Sequence, residues 1–275
     1  MPPSPVAPRL ANIRLHPIKS LDPISVPEAR IAPSGSLALD RAWALYAADG
    51  KWVNGKRTPV VHLIRASYSP DLGRVTLSVP GDRRKIPMRT FPFPQAYEDA
   101  AEWFSVYFEQ QIIVRCSENG FPDDTLAHGP TIVSTASLQA ISDSFPPTPQ
   151  GFPGISLDEV RLRFRATLEI DDVPAFWEDQ LFGENERSVI RFRIGDVDFE
   201  GSNPCARCPV PSRNPLNGEN LDGFQKHFTR FRESTLPPWS PRERFDHFYR
   251  LSTNTRIAPS ETGKLLRVCD PLVLV

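Results

Sequence analysis

The chain has 275 residues, of which 40% are hydrophobic and 24% charged, and its formal net charge is −1. This composition supports one or two soluble domains with a buried core, and the balanced charge gives no reason to expect nucleic acid or an anionic membrane as a partner. The 30 prolines against 15 glycines disfavour a helical bundle, because proline breaks helix interiors, and they favour short strands joined by loops.

The sequence carries no targeting signal that we recognise. No segment approaches the roughly 20 apolar residues of a membrane helix, and residues 1–10 lack the basic stretch and apolar core of a secretory signal. We therefore expect no membrane anchor, a cytoplasmic location and reduced thiols rather than a disulfide framework. The four cysteines are Cys116, Cys205, Cys208 and Cys269.

The first half of the chain has the patterns of β structure. Apolar and polar residues alternate at 10–16, as in a half-buried strand. Aromatic and apolar residues spaced by three and four predict one amphipathic helix at 96–110. In chain order, strands are predicted at 10–16, 41–46, 52–53, 60–68, 74–79 and 112–116.

The second half combines strands with a few helices. Residues 160–165 and 189–194 alternate basic and apolar side chains, which predicts two strands that each have a cationic face. The other predicted elements are a strand at 131–134, a short helix from Ser134 or Thr135 through Ile141, a helix at 222–233 and a strand at 272–275.

Residues 119–130 are polar and contain proline and glycine, which is typical of a long loop or a domain boundary. We therefore predict two domains, at 10–122 and 123–275. The predicted fold is mainly β, with two linked barrel-like units and a few helices.

The sharpest local feature is the segment Asn203–Ser212, which contains Cys205 and Cys208 and is predicted to be a loop. Thiolates are soft metal ligands, and Arg207 beside Cys208 is expected to favour the thiolate form. A structural zinc site or an iron–sulfur cluster needs more such ligands than one pair supplies. What remains is one cysteine ligand to a metal held mostly by something else, or two loop cysteines without a special role.

Several basic residues could hold a phosphate, because arginine and lysine bind phosphate together with hydroxyl and backbone donors. Taken singly, each of them is more often a solvated surface residue, and spacing does not show whether they meet. The candidates are Lys19 with Ser20, Arg41, Arg163 and Arg165. We interpret all five histidines as structural, since they show no metal-binding spacing: His16, His62, His128, His227 and His247.

Five motifs occur in a fixed order: Leu15–Ser20, Leu39–Trp43, Ala100–Phe104, Asn203–Cys208 and Gly263–Pro271. Together they resemble the MOSC proteins, in which an N-terminal β-barrel domain precedes a MOSC β-barrel domain. This family, named after the C-terminus of molybdenum cofactor sulfurases, includes the mitochondrial amidoxime-reducing component and its bacterial counterparts. The resemblance covers nearly the whole chain.

The resemblance implies a molybdenum–molybdopterin cofactor whose metal is bound by the second cysteine of the pair. Cys208 would then be both the metal ligand and the catalytic residue. The residues that the resemblance assigns to the pterin and its phosphate are Lys19, Ser20, Arg41, Ser134, Thr135, Ser137, Arg165, Thr167, Ala206 and Arg207.

Three positions depart from the family pattern. The run after the second cysteine is Pro209–Pro215, Thr167 replaces an asparagine, and Cys269 replaces a glycine. The aromatic and charged segment Phe224–Tyr249 has no clear counterpart in the mitochondrial proteins. It could cover the active site, dock the electron donor or pack as an ordinary insertion.

The implied reaction is the two-electron reduction of an N–O bond in a small N-hydroxylated molecule. No ferredoxin-like segment follows the MOSC region, so a separate protein is expected to donate the electrons. Two other interpretations remain open. One is a sulfur-transfer or cofactor-carrier protein in which Cys205 or Cys208 carries sulfur, and the other is a non-enzymatic β-barrel binding protein whose cysteine pair holds zinc or nothing.

Overall fold

A computed structural model describes residues 7–81, 85–124, 127–149 and 151–275. Part of the prediction about a secretory signal falls on residues 1–6, outside the described residues. The described part of the chain is mainly β, as predicted. Its strands are β1 (Arg9–Leu15), β2 (Ile24–Val26), β3 (Glu28–Arg30), β4 (Trp43–Ala47), β5 (Trp52–Val53), β6 (Arg65–Tyr68), β7 (Arg74–Ser78), β8 (Arg89–Pro92), β9 (Ile112–Cys116), β10 (Ile132–Ser134), β11 (Leu168–Asp171), β12 (Ile190–Ile194), β13 (Val197–Ala206), β14 (Arg250–Arg256), β15 (Leu265–Arg267) and β16 (Leu272–Leu274). Its α-helices are α1 (Tyr97–Phe108), α2 (Thr135–Ser144), α3 (Leu157–Phe164) and α4 (Phe224–Ser234).

The largest sheet forms a barrel from both ends of the chain. Eight strands pair in the order β16-β12-β13-β14-β10-β11-β1-β2. A bridge between Arg9 and Pro271 and a hydrogen bond from the Leu272 N–H to the Pro8 carbonyl (2.7 Å) join β1 to the start of β16. These contacts close the ring, and alternate side chains such as Ile13 fill its interior.

A second module has its own core, built from residues between 18 and 116. Two three-stranded sheets, β5-β4-β9 and β6-β7-β8, contribute to this core together with α1. The predicted helix at 96–110 is confirmed as α1, because Ala100, Phe104 and Tyr107 form one buried face. The helix ends where Glu109 adopts a left-handed conformation with φ of 53°.

The first three strands pair with the C-terminal half of the chain or with each other: β1 and β2 lie in the barrel sheet, and β3 forms a separate two-stranded sheet with β15. β1 pairs antiparallel with β11, and β3 pairs with β15 near the end of the chain. Alternation of apolar residues specifies that a segment is a strand but not which strand it pairs with. The division into 10–122 and 123–275 stays a prediction, and residues 9–30 cross that division in the structure.

The predicted strand at 160–165 is wrong, because this segment lies in α3 and its C-terminal cap. The helix begins at Ser156, whose side-chain oxygen accepts the N–H of Glu159 at 3.2 Å. Arg163 then pairs with Glu159, four residues earlier, at 2.6 Å. The alternating basic residues are therefore neighbours on a capped helix rather than one face of a strand.

The predicted strand at 60–68 is correct only in its second half. Pro59–Leu63 forms a 3-10 turn, which the fixed φ of Pro59 favours at its start, and β6 follows. The predicted helices at 134–141 and 222–233 are confirmed as α2 and α4. Within the described ranges, no helix combines the length and apolar character needed to cross a membrane.

Candidate functional site

A cavity of about 570 Å³ is lined by residues from both the N-terminal module and the barrel. Its volume lies within the usual range of small-molecule sites. Most of the residues predicted to contact a cofactor lie in its wall, although they are far apart in the sequence. The predicted residues that line it are Lys19, Ser20, Arg41, Arg165, Ala206, Arg207 and Cys208.

The cysteine pair lies where β13 ends. Cys205 is the penultimate residue of β13, so it lies on a regular strand and not on a loop as predicted, and Cys208 follows the strand. The Arg207 N–H donates to the Tyr249 carbonyl at 3.0 Å, which extends the pairing of β13 with β14. Both thiols are half-buried and free, and both line the cavity.

The Arg207 guanidinium hydrogen-bonds the thiol of Cys205 rather than that of its sequence neighbour Cys208. Its Nη1 donates to Cys205 Sγ at 3.2 Å, and its Nη2 donates to the Phe164 carbonyl. Side chains two positions apart in an extended chain lie on the same side, so Arg207 reaches Cys205 and not its neighbour Cys208. The hydrogen bond of Arg207 is therefore with Cys205, and its expected influence on the Cys208 thiolate stays a prediction.

The chain after Cys208 is held by a buried arginine. Arg163 Nη1 donates to the carbonyl groups of Pro211 (2.8 Å) and Arg213 (2.7 Å), and the same guanidinium pairs with Glu159. A charged donor that satisfies two loop carbonyls fixes the loop relative to α3. Arg163 is thus a structural clamp on this loop as well as part of the cavity wall.

Two of the predicted cations share one carboxylate. Lys19 Nζ lies 2.8 Å from Asp123 Oδ1 and donates to the Phe121 carbonyl at 2.9 Å. Arg41 Nε lies 3.9 Å from the other oxygen of Asp123, and Arg41 also pairs with Asp40. Enclosure by the cavity wall raises the pKa of Asp123, but Arg41 and Lys19 outweigh it and lower that pKa overall.

Arg165 is the one predicted cofactor cation without a protein partner: within the described ranges its guanidinium makes no hydrogen bond or ion pair. Burial and the nearby Arg41 lower its pKa to about 10, so it remains charged at neutral pH. An unpaired, partly buried cation in a cavity wall is costly unless a ligand neutralises it.

Three of the predicted cofactor residues have a left-handed backbone. Ser20, Arg41 and Arg165 have φ values of 75°, 52° and 53°. Residues other than glycine seldom adopt this conformation, and such strain is concentrated at binding sites. Arg165 takes it as the cap that ends α3.

Four predicted residues lie outside the cavity lining: Ser134, Thr135, Ser137 and Thr167. Ser134 caps α2 by accepting the Ser137 N–H at 3.0 Å, and Ser137 Oγ lies 2.9 Å from Glu178 Oε2. Thr135 donates to a barrel carbonyl at 3.3 Å. These hydroxyls therefore have structural partners, except that of Thr167, which is buried and unpartnered.

His62 was missed as a site residue and interpreted as structural. It is 6% exposed, lines the cavity, and its Nε2 has no hydrogen-bond partner among the described residues. Burial, followed by repulsion from Arg165, lowers its pKa to about 4, so the imidazole is neutral. The sequence around His62, a single histidine beside a proline, does not indicate that this residue lines a cavity.

The comparison with protein families decides the nature of the N-terminal module. A family model described as the MOSC N-terminal beta barrel domain matches residues 7–111. Residues 7–111 are a MOSC N-terminal beta barrel domain. The search of curated proteins finds no match for the chain. MOSC proteins as a family are associated with the molybdenum cofactor.

The MOSC N-terminal domain supplies one wall of the cavity, with Lys19, Ser20, Arg41 and His62. The chemistry of the whole lining fits a ligand that brings most of the metal's ligands itself. It offers the soft thiol of Cys208 and an unpaired cation for a phosphate. Within the described part of the chain, no three His, Cys, Asp or Glu side chains gather to hold a metal ion.

Proposed function

We propose that this MOSC protein binds a molybdenum–molybdopterin cofactor through Cys208 and reduces small N-hydroxylated compounds with it. One observation carries the proposal: the thiol of Cys208 and the unpaired cation of Arg165 line the same cavity. When bound, the cofactor supplies a metal that can remove oxygen from an N–O bond in a two-electron step. A separate redox protein would donate the electrons.

The protein's own residues bind and orient in this scheme. Cys208 is the soft donor, and Arg165 supplies a guanidinium that makes no hydrogen bond or ion pair with any described residue and can bind a phosphate. Ser20 Oγ accepts the Gly55 N–H at 3.2 Å, and no described residue accepts the hydroxyl hydrogen of Ser20, which could therefore donate to a ligand. Arg163 keeps the chain beyond Cys208 fixed, so the thiol would meet the metal without a large loop rearrangement.

The test begins with the content of the purified protein. We would produce it in a host that makes the molybdenum cofactor, and measure molybdenum by mass spectrometry and pterin by fluorescence after oxidation. We expect about one of each per chain, loss of molybdenum and turnover in Cys208→Ala, and loss of pterin in Arg165→Met. Wild-type protein with zinc or without pterin, or an active Cys208→Ala variant, would contradict the proposal.

Two cysteine variants serve as matched controls. Cys205→Ser changes the other thiol of the same cavity, and Cys116→Ser changes a thiol on β9 that is outside the lining. Both variants should retain molybdenum. If Cys205→Ser loses the metal and Cys208→Ala keeps it, the assignment of the ligand is reversed.

A sulfur-carrier function is the second candidate, and the contact of Arg207 with Cys205 Sγ favours it. A guanidinium 3.2 Å from a thiol stabilises negative charge on sulfur, as a persulfide anion requires. Intact-mass analysis distinguishes the two candidates. A mass gain of one sulfur atom that Cys205→Ser abolishes, in a protein without molybdenum turnover, would favour the carrier.

A further inference from the structure

The carboxylates in the cavity wall all have hydrogen-bond or ion-pair partners, whereas some of the cations have none among the described residues. Six cationic side chains and three carboxylates line the cavity. All three carboxylates already have partners. Asp40 accepts the His16 N–H at 2.7 Å, Asp123 binds Lys19 at 2.8 Å, and Asp124 accepts from Asn254 at 3.1 Å. Six cations against three carboxylates leave the described wall with an excess of positive charge.

Two of the cations have no such partner. The side chains of Arg165 and Lys56 make no hydrogen bond or ion pair with any described residue. Arg165 is half-buried in the wall, whereas Lys56 is exposed and lies at the opening. If the cofactor phosphate engages Arg165, Lys56 is the cation that remains for a second ligand.

The turn that carries Lys56 is well fixed. Asn54 Oδ1 accepts the N–H groups of both Lys56 and Arg57 at 3.1 Å. Gly55 packs so closely against His62 that an added Cβ would lie 2.8 Å from His62 Nε2. The backbone of Lys56 is thus held at the cavity edge, and only its side chain must be ordered when a ligand binds.

We infer that Lys56 selects N-hydroxylated substrates that carry an anionic group, such as a carboxylate, next to the reacting part of the molecule. This inference rests on the proposed function. A cationic substrate would meet an excess of positive charge, whereas an anionic one gains an ion pair with Lys56. An exposed pair of this kind changes affinity by up to about fivefold, and salt weakens it.

The experiment compares an aryl amidoxime that bears a carboxylate with its neutral methyl ester. Binding to the oxidised, cofactor-loaded protein is measured by calorimetry without reductant, so that no turnover occurs. We expect the carboxylate to bind more tightly than the ester. Lys56→Met should weaken the carboxylate about fivefold and leave the ester unchanged. Arg57→Met, a neighbour in the same turn that does not line the cavity, should change neither.

Two results would overturn the inference. One is equal affinity for the carboxylate and the ester, and the other is an equal effect of Lys56→Met and Arg57→Met. Turnover with a chemical reductant is measured separately on the neutral ester. If the carboxylate binds more tightly than the ester in a Lys56-dependent way but the ester is not turned over, the charge selection is supported and the proposed reductase function is refuted. If the ester is turned over but the two compounds bind equally, only the charge selection is refuted.

Discussion

Glu178 is a buried carboxyl group beside the N-terminus of α2, and its protonation should control the stability of this protein. One oxygen lies 2.9 Å from Ser137 Oγ and the other has no partner among the described residues. Burial, followed by repulsion from Asp179, raises its pKa from 4.5 to about 7. The folded state therefore holds this proton at pH values at which the unfolded chain has released it.

The sign and size of the effect follow from this difference. A carboxyl whose pKa is raised on folding stabilises the protein fully below about pH 4.5, and this contribution disappears as the pH rises through about 7. The shift corresponds to about 3 kcal/mol of unfolding free energy. Glu178→Gln keeps an acceptor for Ser137 and cannot ionise, so the variant should not lose unfolding free energy as the pH rises through about 7.

The assay is urea unfolding at about pH 5 and about pH 8, with two-state behaviour checked by equal slopes. Glu178→Gln should exceed wild type by no more than about 1 kcal/mol at the lower pH and by about 3 kcal/mol at the higher one. Glu184→Gln changes an exposed carboxylate of the same region and should have little effect. The reasoning is refuted if Glu178→Gln is no more stable than wild type at about pH 8.

Three further changes test the site and its supports. Arg163→Met leaves two loop carbonyls without their donor, so it should cost about 3 kcal/mol and speed hydrogen exchange at 209–213; unchanged exchange there would contradict the clamp. Cys269→Gly should raise the unfolding free energy by about 1 kcal/mol, since Cys269 has a φ of 76°, and lower stability in thermal unfolding would count against this. Gly55→Ala puts a Cβ 2.8 Å from His62 Nε2 and should cost about 1 to 3 kcal/mol in a denaturant titration, whereas a neutral result would show that the ring moves freely.

The sequence was informative wherever a pattern is local. The spacing of Ala100, Phe104 and Tyr107 predicts α1 because one helix face contacts one core. The segment at 160–165 was wrongly predicted as a strand because its residues fit both the alternation of a strand and the spacing of a helix. The cap at Ser156 and its neighbouring acidic residues decide for the helix, and they lie outside the window that suggested a strand.

The candidate site was predictable in its residue types and motif order but not in its contacts. The resemblance named Lys19, Arg41 and Arg165, which do line one cavity. It gave no indication that Arg41 and Lys19 share a carboxylate while Arg165 has none, because ion pairing depends on side chains brought together by the fold. His62 reaches the wall through the same long-range packing.

The closure of the barrel by β1 makes the order of synthesis matter. β1 emerges first, yet its neighbours β11 and the start of β16 emerge much later. Such distant pairing slows folding and leaves strand edges open meanwhile. Residues 123–275 produced alone would lack β1 and β2 of the large sheet and the β3 partner of β15, and a peptide spanning residues 7–31 would supply all three strands.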